Sequence, residues 1–298
     1  MSAEILNGKL LAAEMRAEIA DQVAQLKEKS GITPGLGVIL VGVDPASTSY
    51  ITAKERACAE AGIHSDDVRV PADTTQEEVL KLVHGMNDNP AINGILVQLP
   101  LPKHIDESAV INAIAPEKDV DGFTPVNVGR MMIGERCFLP CTPNGIIQML
   151  LKAGVETSGK HAVVVGRSNI VGKPVAQLLM RKTKGGNATV TVCHTGTKDL
   201  KSFTLQADIL VVAAGWPGTV TGDMIKPGAV VIDVGVNRVP DETRPRGYRL
   251  AGDVDFESAK EKASLITPVP GGVGPMTITM LLYNTLESAT RMAEEATQ

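Results

Sequence analysis

Four cysteines in 298 residues form no C-x-x-C pair. Cys58, Cys137, Cys141 and Cys193 therefore supply neither the knuckle of a structural zinc site nor a thioredoxin-like redox motif, and they read as reduced thiols of a cytosolic protein. Histidine is equally uninformative as a ligand: His64, His84, His104 and His161 show no H-E-x-x-H or paired spacing, so no metal is expected. Long hydrophobic runs are missing, since ILVVAAGW at 209–216 is far shorter than a bilayer span requires. The start, MSAEILNGK, lacks a basic segment followed by an apolar core, which predicts no secretory signal. Positive charge is also scarce. With 29 Lys and Arg against 34 Asp and Glu the net charge is -5, and the short MRKTK near residue 180 reads as a solvated helix end, which argues against nucleic-acid or membrane-surface binding.

What is present is alternation. The length suits two domains of ordinary size. An amphipathic helix over about 8–29 leads to the strand LGVILVG, then to a helix from Ser47 to Ala61 stopped by Gly62, strand DVRV, helix TQEEVLKLVHGM and strand INGILVQL. Between Pro100 and Pro143 the chain is rich in Pro, Gly, Asp and Asn, which marks loops with short helices. A helix with Pro143 at its first position, strand HAVVV, a helix after Gly172 and strands ATVTVC, DILVVAA and AVVIDVG form a second unit, closed by a terminal helix. The expected fold class is α/β with two domains, each a parallel sheet with flanking helices, the second Rossmann-like. The boundaries fall at 1–140 and 141–274.

Two stretches carry chemistry. In DPASTSYITAKERACAEAG, Ser47, Tyr50 and Lys54 share one stripe of a helix at the carboxyl end of a parallel strand, where such folds bind ligands; spacing alone also allows a solvated lysine. Gln98 interrupts the apolar run LVQL and needs a partner, either as a structural bracket or as a ligand of the lysine. In VVVGRSNIVG, Gly166 begins like a dinucleotide-binding turn, but Ser168 and Val171 stand where G-x-G-x-x-G wants glycine, with Gly172 one residue late. Ser168 adds a hydroxyl donor for phosphate, and Arg167 can pair bidentately with a 2′-phosphate. The end of the next strand offers His194 and Thr195 instead of the acid an NAD site wants, so the turn points to NADP. The single tryptophan, Trp216, is assigned to packing.

VGVDPASTSYITAKERACAEAGI, GILVQLPLPKHID, PEKDVDGFTPVNVGRM, LPCTPNGI, VVVGRSNIVGKPVAQLL and ITPVPGGVGPMTITML, in order over essentially the whole chain, resemble the bifunctional methylenetetrahydrofolate dehydrogenase/cyclohydrolase family. The resemblance implies a cytosolic homodimer with a folate-binding catalytic domain, an NADP-binding domain, a cleft between them and a terminal helix, about 275–298, that crosses back to complete the first. It also implies oxidation of 5,10-methylenetetrahydrofolate, followed by hydrolysis to 10-formyltetrahydrofolate. Lys54 matches the catalytic lysine, Tyr50 lines the folate site, Ser47 supports it, Gln98 hydrogen-bonds the lysine and Asp121 grips the pterin. Pro270, Gly271 and Gly272 lie in a loop that closes over the folate, and backbone near Val236 contacts the cofactor. Without that resemblance, a shikimate dehydrogenase-like enzyme or a non-catalytic NADP-sensing protein fits the same frame, but neither explains YITAK together with KDVDGF.

Overall fold

The computed structural model of the chain describes residues 2–42 and 45–295, the side chains of residues 45–50 excepted. In chain order the elements are β1 (Glu4–Ile5), α1 (Gly8–Ser30), β2 (Gly35–Val41), α2 (Pro45–Ala61), β3 (His64–Val70), α3 (Gln76–Asp88), β4 (Gly94–Val97), α4 (Glu107–Ala113), α5 (Pro125–Ile133) and α6 (Cys141–Lys152). There follow β5 (His161–Val165), α7 (Gly172–Met180), β6 (Thr189–Cys193), α8 (Leu200–Thr204), β7 (Ile209–Val212), β8 (Val230–Asp233), β9 (Asn237–Pro240), β10 (Tyr248–Ala251), α9 (Phe256–Ala259), β11 (Leu265–Ile266) and α10 (Val273–Glu295). Among the described residues no helix is long and apolar enough to cross a membrane.

The chain divides into two compact bodies: Ala13–Cys141 with the chain from Ile278 onward, and the chain up to Ala12 with Thr142–Thr277. In the first, β3, β2 and β4 form a parallel sheet in that order. Its core gathers Ile39, Ile95 and Val97 of the strands with Val79 and Val83 of α3. A capping box closes the start of α3: Thr75 accepts from the Glu78 N–H and Glu78 from the Thr75 N–H, which satisfies two orphan donors and fixes where the helix begins. The later part of α10 belongs to this body. Its polar residues do the docking: Asn284 Nδ2 donates to the carbonyls of Val120 at 2.8 Å and Leu139 at 3.0 Å, and Ser288 Oγ lies 2.6 Å from the Asn93 carbonyl. A helix that is otherwise apolar thereby satisfies loop carbonyls that burial would leave unpaired.

In the second body, β1, β11, β8, β7, β5 and β6 make a parallel sheet in that order. The apolar runs ILVV and HAVVV become strands buried on both faces, as a sheet covered by helices requires. Two features depart from the sequence reading. Residues 2–12, read as part of the first domain, join this body because β1 pairs with β11 at the sheet edge. The helix near Pro143 starts at Cys141, so that proline stands third in it. The antiparallel pair β9 and β10 was also illegible, since its sequence between 237 and 251 is polar and turn-rich.

Candidate active site

Lys54 lies on the inward face of α2 with Ile51, Ala57, Cys58 and Ala61, and only 1% of it is exposed. This removes the solvated reading. A buried ammonium needs a partner, and Nζ donates to Asp67 Oδ1 of β3 at 2.8 Å. Ser65 Oγ donates to the same oxygen at 3.1 Å. Burial pushes the Asp67 carboxyl up, but the hydrogen bonds it receives, above all from Lys54, outweigh that and hold it below the ordinary carboxylate value. Burial also pushes the neighbouring Cys58 thiol up, to about 11.

Gln98, expected as the partner of the lysine, is bonded elsewhere. Its Nε2 donates to the carbonyl of its own neighbour Leu99 at 2.9 Å, and among the described contacts none joins it to Lys54. A carboxylate is the stronger acceptor for an ammonium, and Gln98 keeps the bracket role, its N–H extending the β4 pairing to Ile39 at 2.9 Å. Asp67 was missed because it opens DVRV and reads as a strand boundary. The signal in the sequence was the pair Asp66-Asp67 leading into VRV, since successive strand residues face opposite ways and one of two adjacent acids must turn inward. Ser47 and Tyr50 lie in the first turns of α2, and their side chains are outside the described residues.

The stretch KDVDGF is a set of separate fittings. Lys118 Nζ lies 2.6 Å from the Asn87 carbonyl and 2.8 Å from that of Asn89, closing the end of α3. Asp119, 1% exposed, accepts from the N–H groups of Phe123 (3.1 Å) and Thr124 (2.8 Å), from Thr124 Oγ1 (2.7 Å) and from Asn127 Nδ2 (2.8 Å). Thr124 in turn caps α5. Gly122 has φ +70°, and a Cβ there would stand 2.7 Å from the Phe138 carbonyl oxygen, so no other residue fits. These fittings hold Asp121, which is half-buried. Burial, and after it the Asp119 charge, pushes its carboxyl up to about 7. Asp119→Ala is expected to cost about 3–5 kcal/mol of stability, because it orphans several buried donors at once. Urea unfolding measures this, and a loss below about 1 kcal/mol contradicts the bracing role assigned to Asp119.

In the second body, Gly166 has φ +130° and a Cβ on it would sit 2.1 Å from the Ala213 carbonyl oxygen; a Cβ on Gly172 would sit 2.4 Å from the Gly166 oxygen. The turn is thus packed backbone to backbone, with Gly172 making the close approach. Ser168 Oγ accepts from the N–H groups of Val171 (3.2 Å) and Gly172 (3.3 Å), which leaves its own hydrogen to donate outward. Arg167 is exposed, and its Nη1 lies 3.5 Å from His194 Nε2. The Gly196 N–H donates to His194 Nδ1 at 3.0 Å, which in the neutral ring leaves the hydrogen on Nε2, so the imidazole N–H and the guanidinium are neighbouring donor groups. Thr195 is exposed beside them and Val236 is 61% exposed. Trp216, assigned to packing, is 74% exposed, because it follows Gly215 in the loop after β7 instead of pointing into the sheet. Pro270, Gly271 and Gly272 fall in this second body, their backbone against Gly8 and Lys9: the Gly271 carbonyl accepts from the Lys9 N–H at 3.2 Å, and a Cβ on Gly8 would meet the Gly272 oxygen at 1.8 Å.

Comparison with known proteins agrees with this arrangement. Residues 6–121 match the family profile described as the tetrahydrofolate dehydrogenase/cyclohydrolase catalytic domain, and residues 140–293 match its NAD(P)-binding domain. The chain is 60% identical over 291 residues to the bifunctional protein FolD of Moorella thermoacetica, covering 98% of this chain and 100% of that protein. A crystal structure of the bifunctional enzyme FolD from Campylobacter jejuni superposes with a TM-score of 0.91 at 46% identity, over 98% of this chain and 100% of that one. The Trypanosoma brucei FolD, solved with NADP cofactor and inhibitor, gives 0.93 at 44% identity, over 98% and 99%. The chain belongs to the bifunctional tetrahydrofolate dehydrogenase/cyclohydrolase family.

Proposed function

We propose that Lys54 and Asp121 serve the folate chemistry of this bifunctional enzyme and that its hydride acceptor is NADP. The observation that carries the reading is a lysine amine sealed inside the first body on a carboxylate, in the same body as a carboxyl pushed up to about 7. Oxidation of 5,10-methylenetetrahydrofolate removes a hydride from the carbon bridging two nitrogens, and the cation left is shared between them. That step asks for placement more than for an acid or base. Hydrolysis of the methenyl compound is different: water adds to the cationic carbon, one C–N bond breaks, the departing nitrogen gains a proton and the water loses two. Lys54 holds a proton at Nζ for that exchange, and Asp67, not the amide expected from the sequence, keeps the amine in place. Gln98 and Tyr50 complete the folate side with Ser47, and Pro270, Gly271 and Gly272 are assigned to folate binding by the family resemblance alone.

The second body supports NADP by the chemistry of its donors. Arg167 and His194 stand side by side and no acid stands at the end of β6, which suits a phosphate. Gly166, Ser168, Thr195 and Val236 complete the cradle, and the dinucleotide supplies, when bound, a nicotinamide that takes up the hydride. A homodimer in the cytosol belongs to the same reading, supported by the family resemblance and four free cysteines.

Asp121 is assigned to the donor-rich edge of the pterin, where only the carboxylate accepts fully. Since its carboxyl sits at about 7, folate affinity should fall as pH drops through that value and protonates it. Asp121→Asn should lose roughly tenfold to hundredfold in folate affinity and, with it, this pH dependence. Titration with a folate at several pH values is the check, and unchanged affinity in the variant would remove Asp121 from the site.

A further inference from the structure

Two carboxylates, Asp233 and Asp253, lie beneath the loops that follow β7 and β8 and are 3% and 0% exposed. Neither has a cationic partner among the described residues. Their acceptor capacity is instead spent on the loops. Asp253 Oδ2 accepts from the N–H groups of Ala214 at 2.7 Å and Gly215 at 2.8 Å, and its Oδ1 accepts from Asn237 Nδ2 at 2.8 Å. Asp233 accepts from the N–H groups of Gly235 (3.0 Å), Asp253 (2.9 Å) and Val254 (3.0 Å). The fit leaves no slack: a Cβ on Gly235 would stand 2.2 Å from Asp253 Oδ1, and one on Gly252 would stand 1.7 Å from Asp233 Oδ2.

Both loops leave the carboxyl ends of sheet strands, the edge at which open α/β sheets bind ligands. The Ala214–Gly215 loop begins at Ala213, whose carbonyl packs against Gly166, and Asn237 follows the exposed Val236. Carboxylates that spend their acceptors on backbone N–H groups and an amide of these loops fix the loops in one arrangement.

We propose that Asp253 is a positioning residue for the dinucleotide: by pinning Ala214, Gly215 and Asn237 it sets the loops after β7 and β8, the first of which packs against the Gly166 turn. This rests on the cofactor reading above. Trp216, the sole tryptophan, is the next residue after the pinned pair, and its carbonyl accepts from Thr219 Oγ1 at 2.7 Å, so its fluorescence reports on this loop.

The test measures NADP kinetics and Trp216 emission in wild type, Asp253→Asn, Asn237→Asp and the double exchange. In Asp253→Asn the amide can still accept from the loop but turns an N–H toward the Asn237 amide; in Asn237→Asp two carboxylates face each other. Each single variant should raise the KM for NADP roughly tenfold to hundredfold, with a much smaller change in kcat and in the KM for the folate, and should shift Trp216 emission. The double exchange, which restores a donor facing an acceptor, should recover most of the loss. Unchanged KM for NADP in the single variants, or a double variant no better than the worse single, overturns the proposal. Should Asp253→Asn fail to fold, Asn237→Asp at its half-exposed position decides alone by the same criterion. A wild type that neither reduces NADP with methylenetetrahydrofolate nor changes its Trp216 emission on adding NADP overturns the cofactor reading and this proposal with it. A normal wild type with normal variants overturns this proposal alone.

Discussion

Lys54→Met should lose about a hundredfold to ten-thousandfold in cyclohydrolase kcat, the range that general acid–base groups supply, while much of the dehydrogenase activity persists. The asymmetry follows from the chemistry, since hydride removal leaves a stabilised cation with no proton to move, whereas hydrolysis moves protons from water and onto a nitrogen. Methionine nearly matches the lysine stem in length and suits a position that is 1% exposed, so the fold should persist. The variant also strips Asp67 of its strongest partner. In the wild type that carboxyl is held below its unfolded value, so the pair contributes stability that is full above about pH 4 and is lost as pH falls through the lowered folded value. The stability gap between wild type and Lys54→Met should therefore be widest near neutrality and close in acid. Following methenyltetrahydrofolate disappearance, with urea unfolding beside it, checks both parts. Hydrolysis at the wild-type rate would overturn the assignment of Lys54.

Arg167→Ala should raise the KM for NADP roughly tenfold to hundredfold and leave that for NAD nearly unchanged, collapsing the preference between them. The cofactors differ only in the 2′-phosphate, so a residue that meets that group affects one and not the other. His194 alone would remain as donor, its Nε2 hydrogen set by the Gly196 N–H on Nδ1. Because Arg167 is exposed, the wild-type preference should also shrink as salt is raised. Side-by-side kinetics with the two cofactors at low and high ionic strength measure this, and a preference untouched by the substitution removes the 2′-phosphate from Arg167.

Much of the frame was legible because it rests on local pattern. Apolar runs such as ILVV and HAVVV read as strands covered on both faces, and TQEEVLKLVHGM carries the apolar spacing of a helix. KDVDGF and PVPGGVGPMT were recognisable as motifs, and the residues of KDVDGF take different roles once folded. Lys118 and Asp119 spend their charges on holding the loop, and Asp121 is left to meet a ligand.

By itself the sequence determined the two parallel α/β units and the glycine-dependent turn at 166–172, because burial pattern and backbone freedom are properties of neighbouring residues, whereas Lys54 and Asp121 became candidates through the family motifs. The tertiary structure decided the partners. Asp67 comes to Lys54 from 13 residues away, Asp253 reaches the Ala214 N–H from 39 away, and Arg167 meets His194 across 27. A buried charge takes the strongest partner within about 3 Å, and that distance depends on how strands are ordered in a sheet and not on their order in the chain.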